Sequence, residues 1–264
     1  MGVKLKLAMG LQEREMIALV GGGGKTTLMF SLARELASCG YRVITGPSTN
    51  IFMPKEQDTP LVMLEQGRQN FKTQVLNALL RLGHVTVGRT LVTSTNKVKG
   101  FETGFFPEIY QEELVNYVIV EADGARGKSL KAPREHEPVI PDKTTTVVGM
   151  MGLDVLGQPL NESMVFQVQR FSEITGLKPG EIITEKAFFS LASHPEGLFK
   201  NTPQQAARVI FLNKCDRLKY RLSAEQVAEA FGLLPFPVRL VWGILSPQVH
   251  VTMWKHSDDR HLAS

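Results

Sequence analysis

Met16-Ile17-Ala18-Leu19-Val20-Gly21-Gly22-Gly23-Gly24-Lys25-Thr26-Thr27 decides how the chain folds. Its five apolar residues suit a buried strand, and the bare glycines suit a tight turn. Leu28, Leu32 and Leu36 then recur at four-residue spacing beside Met29 and Ala33, so one face of a helix is buried, and Gly40 supplies its stop. Glycines lack a Cβ, so the backbone can curl until several N–H groups converge on a phosphate chain. The helix that follows directs its positive N-terminal end at the same point. This is the pattern of a phosphate-binding loop in which Gly21, Gly22, Gly23, Gly24, Lys25, Thr26 and Thr27 hold a nucleotide. Lys25 is expected at the β- and γ-phosphates and the Thr26 hydroxyl on Mg²⁺. The common G-x-x-x-x-G-K-[ST] spacing has its first glycine where Leu19 stands here. Either Leu19 takes that place or the loop is about two residues shorter than the common form. A plain glycine turn is the other reading, but four glycines in a row cost folding entropy that such a turn has no need to spend.

Outward from this stretch, Tyr41 to Thr45 reads as a second strand, which with the first strand and helix makes a right-handed parallel βαβ unit. The fold expected is therefore α/β, a three-layer P-loop NTPase-like arrangement with a mostly parallel sheet flanked by helices. Ser48 and Thr49 follow the second strand. They either approach the nucleotide's metal or γ-phosphate, because ligands gather at the carboxyl ends of parallel strands, or cap a turn. Glu65 to Leu82 has an apolar stripe through Phe71, Val75, Leu79 and Leu82 and reads as a helix, with a strand expected around Thr90 to Thr95.

Tyr117-Val118-Ile119-Val120-Glu121-Ala122-Asp123-Gly124 is the second informative stretch. A buried strand that ends in carboxylates delivers one of them to the crevice, and Mg²⁺ needs only one or two carboxylates because it keeps several waters. Asp123, with Thr26, is taken as the metal pair and Glu121 as the group that orients an attacking water, although the two carboxylates can exchange roles. Lys25, Asp123 and Glu121 are the candidate catalytic residues. Ala125 to Pro141 is basic and proline-marked, with Arg126, Lys128, Lys131 and Arg134, and reads as a loop: a mobile lid over phosphates, or a solvated surface. His136, between two glutamates, has no partner at ligand spacing and is read as surface.

The third stretch, Val209-Ile210-Phe211-Leu212-Asn213-Lys214-Cys215-Asp216, is an apolar strand followed by N-K-x-D, the guanine-reading pattern. The Asp216 carboxylate accepts from guanine N1–H and N2–H₂; adenine would leave it facing an acceptor, and an unpaired buried carboxylate is heavily penalised. Asn213 either serves the base's other polar edge or ties this loop to the phosphate loop, and the Lys214 stem can cover the base. Between the second and third stretches, Thr144 to Met151 reads as a strand before a turn at Gly152-Leu153-Asp154. Beyond the third, a helix (Ser223 to Gly232) and a strand (Val238 to Leu245) are expected.

With 264 residues and no linker-like composition, residues 1–264 are read as a single nucleotide-binding domain. A formal charge of +4 suits a phosphate ligand, but no dense Lys/Arg run points to nucleic acid and no apolar run approaches a membrane span. Cys39 and Cys215 are the two cysteines, too few for a disulfide framework, and a cytoplasmic home is expected.

With these stretches in hand, the chain resembles the YqeC family, described as probable accessory proteins of selenium-dependent molybdenum hydroxylases. The resemblance runs through G-G-G-G-K-T-T at Gly21 to Thr27, V-E-A-D-G-A-R-G at Val120 to Gly127 and L-K-A-P-R-E-H-E-P-V-I-P at Leu130 to Pro141. It continues through G-L-D-V-L-G at Gly152 to Gly157 and L-N-K-C-D at Leu212 to Asp216. It implies a P-loop nucleotide-binding fold and a task in preparing a molybdenum hydroxylase apoprotein or its cofactor alongside other maturation proteins. Related maturation ATPases carry a signature lysine before the glycines that acts across a dimer; Val20 stands there instead. The expectation is slow GTP hydrolysis with Mg²⁺, ATP being the other nucleotide the loop permits. The alternatives are a kinase or nucleotidyltransferase acting on a small cofactor precursor, and a nucleotide-switched scaffold for the hydroxylase that does not turn over.

Overall fold

The computed structural model describes residues 4–101, 104–217 and 221–253. A short helix, α1 (Leu5–Met9), leads into β1 (Glu15–Gly21), α2 (Lys25–Ser38) and β2 (Val43–Pro47). Then come β3 (Asn50–Phe52), β4 (Val62–Leu64), α3 (Phe71–Leu82), β5 (His84–Gly88), β6 (Thr90–Val92), β7 (Lys97–Lys99) and α4 (Phe105–Tyr110). The middle of the chain forms β8 (Tyr117–Glu121), β9 (Leu130–Lys131), β10 (Thr146–Gly152), β11 (Val165–Phe166), α5 (Val168–Thr175) and α6 (Glu185–Ser193). It closes with β12 (Ala207–Asn213), α7 (Arg221–Phe231), β13 (Arg239–Ile244) and β14 (His250–Met253).

One nine-stranded sheet runs β14-β13-β12-β10-β1-β8-β2-β5-β4, and every pairing in it is parallel except that of the edge strand β14. β1 lies between β10 and β8, with Leu19 in register with Val148 on one side and Glu121 on the other. All seven residues of β1 are buried, as expected of a strand covered on both faces. The alternation of its side chains sorts the core. Ile17 and Leu19 pack with Leu5 of α1 and with Leu28, Leu32 and Leu36 of α2. On the opposite face, Ala18 and Val20 join Phe171 of α5, Phe188 of α6 and Phe231 of α7, while Met16 joins Phe71 and Val75 of α3 and Phe106 of α4. Helix, sheet and helix make the three layers, a mixed α/β fold of the P-loop-like kind.

Three expectations are corrected. α3 begins at Phe71 rather than Glu65, because Gln66, Gly67 and Asn70 all take positive φ, which no helix accommodates. The strand looked for around Thr90–Thr95 is shorter than expected: β6 covers Thr90–Val92, Thr93–Thr95 is a 3-10 turn, and β6 belongs to a three-stranded antiparallel sheet, β3-β7-β6, and not to the main sheet, where β5 ends at Gly88. The basic segment after Gly124 is neither wholly lid nor wholly solvated surface: Leu130 and Lys131 form β9 against β11, and Ser129, Lys131 and Glu137 are buried.

A phosphate-loop-like cleft at the end of the central strand

β1 carries Leu19 fully inside the sheet, so the turn between strand and helix is only Gly22–Gly24, the shorter of the two forms considered. The glycines are demanded by close approach. A Cβ on Gly21 would stand 2.4 Å from the Met150 carbonyl oxygen, and Gly24 takes φ 121°, which an L side chain rarely tolerates. Gly22 N–H donates to the Met150 carbonyl and Gly23 N–H to the Lys128 carbonyl, both at 2.9 Å. These bonds hold the turn, and the N–H groups of the first turn of α2 remain for a ligand, since no side chain caps that helix. The cleft they open onto holds about 330 Å³, and its lining includes the loop, Lys25, Thr26, Glu121, Phe52, Lys97 and Arg126.

The expected site residues divide into two groups. Thr26 Oγ1 donates to Glu121 Oε2 at 2.7 Å. Asp123 lies elsewhere: its Oδ1 is 3.1 Å from Lys25 Nζ, while its Oδ2 is 3.0 Å from Lys131 Nζ and accepts from Gly21 N–H at 3.2 Å. The Thr26 hydroxyl is therefore bonded to Glu121, while Asp123, the carboxylate favoured as its partner at a metal, is held by the two lysines and Gly21. Lys131 also meets Glu137 at 2.7 Å, which completes a buried chain Lys25–Asp123–Lys131–Glu137 of alternating charge. The sequence reading placed Lys131 only among the basic residues of a loop. Its apolar flanks, Leu130 and Ala132, were the signal that it turns inward.

Electrostatics distinguishes the two carboxylates. Burial pushes the Glu121 carboxyl above its usual range, and Lys25 only partly offsets this. Burial acts in the same direction on Asp123, but the ammonium groups of Lys25 and Lys131 outweigh it and hold that carboxyl below its usual range. Burial alone would lower Lys25, yet Asp123 and Glu121 raise it, so it stays charged while donating to the Gly21 carbonyl at 2.5 Å.

Asn213, buried at the end of β12, donates through Nδ2 to the Gly23 carbonyl at 2.7 Å, the tie to the glycine loop that was one of its two expected roles, and its Oδ1 is buried without a partner. Lys214, at φ 64°, places its Nζ on Ser129 Oγ at 2.6 Å and Asp154 Oδ2 at 2.9 Å. Asp216 is exposed on a 3-10 turn (Cys215–Arg217). Ser48 turns away from the cleft, its hydroxyl donating to the Val139 carbonyl. Thr49 Oγ1 is buried without a partner, and His136 is exposed. A second hollow of about 740 Å³ begins at Thr26 and Thr27 and extends past Arg34 to the Leu245–Val249 loop.

Sheet order, central glycine turn and helix define an α/β protein of P-loop-like architecture. A family model described as YqeC protein matches residues 17–169. A protein of Escherichia coli (strain K12), "Uncharacterized protein YqeC", is 31% identical over 239 residues, covering 90% of each chain. The chain belongs to the YqeC family. Among the described residues, no helix is long and apolar enough to cross a membrane.

Proposed function

We propose that the cleft binds a nucleoside triphosphate with Mg²⁺, GTP before ATP, and hydrolyses it slowly. The service performed would be maturation of a selenium-dependent molybdenum hydroxylase or its cofactor. One coincidence carries the nucleotide reading: an uncapped helix N-terminus, a buried charged lysine and a threonine–carboxylate pair converge on one cleft. The hydroxylase reading is supported by the family resemblance alone.

In this reading the N–H groups of Gly24 to Thr27 hold the phosphates, and Lys25 exchanges the Gly21 carbonyl for phosphoryl oxygens. The donor set at Thr26 and Glu121 fits Mg²⁺: two hard oxygens 2.7 Å apart, one of them on a carboxyl whose burial calls for a cation. The ion, when bound, neutralises charge on the β- and γ-phosphates. Among the described residues no three His, Cys, Asp or Glu side chains gather to hold a metal without such a ligand. Asp123 serves as the counter-ion that keeps Lys25 protonated and ordered. Guanine preference would come from Asp216, with the unpaired Oδ1 of Asn213 nearby to accept from the ligand or a water.

Equilibrium binding of GTP, GDP and ATP with Mg²⁺ to wild type, Lys25→Ala and Asp216→Ala tests this. The expected result is guanine-selective binding that weakens at least tenfold, about 1.4 kcal/mol, in each variant. No binding by the wild type would remove the phosphate-loop reading. ATP bound as well as GTP, and unaffected by Asp216→Ala, would remove the guanine reading. One observation favours transfer to a small acceptor as the second reading. Phe52 is 68% exposed at the cleft and Lys97 Nζ lies 4.8 Å from its ring centroid, together a platform for a planar anionic molecule facing the phosphate loop. A phosphorylated or nucleotidylated product in place of inorganic phosphate would decide for it.

A further inference from the structure

Arg126 lines the same cleft as Lys25, Thr26 and Glu121. Its backbone sits at φ 49°, a left-handed conformation that non-glycine residues seldom adopt and that clusters at functional sites. The turn carrying it is fastened to the glycine loop: Lys128 N–H donates to the Ala125 carbonyl, and the Lys128 carbonyl accepts from Gly23 N–H, both at 2.9 Å. The side chain is exposed, with its guanidinium 5.2 Å from the centroid of the Phe166 ring. Arg134 rests on that ring too, at 5.1 Å, and Lys131 Nζ lies 5.9 Å from it, so three like charges share one aromatic. Arg126 therefore has a resting place from which repulsion favours its release.

Of the other cations lining the cleft, Lys25 is held by Gly21 and Asp123, Lys214 by Ser129 and Asp154, and Lys97 lies over Phe52, while Lys128 offers an ammonium rather than a bidentate fork. We propose that Arg126 is the γ-phosphate cation of this site, an arginine supplied by the chain itself that leaves Phe166 to lie against the γ-phosphoryl oxygens. The assignment rests on the nucleotide reading above and adds a catalytic residue to it. In hydrolysis, water oxygen forms the new bond to γ-phosphorus as the bond to the β–γ bridging oxygen breaks. The leaving diphosphate keeps that electron pair, and the water's proton ends on the phosphate products. Arg126 takes no proton; its planar fork neutralises charge spread over the transferring group's oxygens.

The test uses the full chain with Mg²⁺ and four probes: GDP, a non-hydrolysable GTP analogue, GDP with aluminium fluoride, and GTP turnover. Arg126→Ala is expected to bind GDP within about twofold of wild type, which also shows that it is folded. It should lose at least about tenfold in affinity for the triphosphate analogue, fail to form the aluminium fluoride complex, and turn over GTP at least about a hundredfold more slowly. Arg126→Lys is expected to restore little, because an ammonium lacks the bidentate fork. If Arg126→Ala keeps the wild-type ratio of triphosphate to diphosphate affinity, or if Lys128→Ala alone abolishes it, the assignment is overturned while the nucleotide reading stands. Failure of the wild type to bind any of these nucleotides overturns both.

Discussion

Glu121 and Asp123 are two residues apart, so an extended backbone presents both to the same side, and no feature of either names the one that meets Thr26. The choice is made by Lys131, eight positions beyond Asp123, which with Lys25 occupies both Asp123 oxygens. This is why the sequence left the two carboxylates free to exchange roles, whereas in the structure Glu121 is the one bonded to Thr26 and Asp123 is held by the two lysines. The two substitutions should separate cleanly. Asp123→Asn leaves two buried ammonium groups facing an amide and should cost about 3–5 kcal/mol in urea unfolding at pH 7. Glu121→Gln keeps an oxygen for the Thr26 hydroxyl and removes a charge that burial disfavours, so stability should change by about 1 kcal/mol or less. Its loss should instead be in the Mg²⁺ dependence of nucleotide binding. A stable Asp123→Asn that no longer responds to Mg²⁺, beside a Glu121→Gln that does, would return the metal role to Asp123.

Among the elements, the strands most legible in the sequence were those buried on both faces over most of their length, because such burial writes itself as an apolar run at β1, β8, β10 and the last five residues of β12. The short ones were hidden. Residues 85–95 are rich in β-branched side chains, and at Gly88, between β5 and β6, contact enforces the break: a Cβ there would stand 2.1 Å from Val98 Cγ1 of β7. The first residue of β5 also carries a pH response. His84 is 3% exposed, its Nε2 is 3.0 Å from Thr45 Oγ1 of β2, and that hydroxyl is 2.7 Å from Thr86 Oγ1. Burial, with Arg34 adding to it, pushes the imidazole down from 6.5 to about 4. The unfolded chain then binds the proton first as pH falls. The stability His84 supports as a neutral ring is intact above about pH 6.5 and drains away between there and pH 4, with about 2 kcal/mol gone at pH 5. His84→Gln cannot take up that proton. Urea unfolding of both proteins at pH 7 and pH 5 should show the variant losing about 2 kcal/mol less across the interval; equal losses would mean that His84 is charged in the fold without penalty.

At the scale of the molecule, the sheet draws its strands from both ends of the chain, and the cleft does the same. Gly23 is bonded to Lys128 on one side and Asn213 on the other, and Lys214 reaches back to Ser129. The single domain expected from composition therefore has a thermodynamic consequence. If residues 1–264 unfold as one unit, a ligand at the glycine turn must stabilise β13 as much as β1, although no residue of β13 lines that cleft. With Trp254, the other tryptophan, replaced by phenylalanine, Trp242 in β13 reports one end by fluorescence, and far-UV circular dichroism reports the whole. A ligand that binds only the folded state at a hundred times its Kd adds about 2.7 kcal/mol. In a chain of this size that raises Tm by about 5–10 °C. GTP with Mg²⁺ should move both signals together and by the same amount, and Lys25→Ala should move neither. A fluorescence transition that stays in place while the dichroism shifts would divide the chain between β12 and β13, because only a boundary there can free the C-terminal strands from a ligand held at β1. Coincident shifts would make the glycine turn a clamp on the entire sheet, since the bonds from Gly23 to Lys128 and Asn213 join the turn before α2 to segments from both halves of the chain.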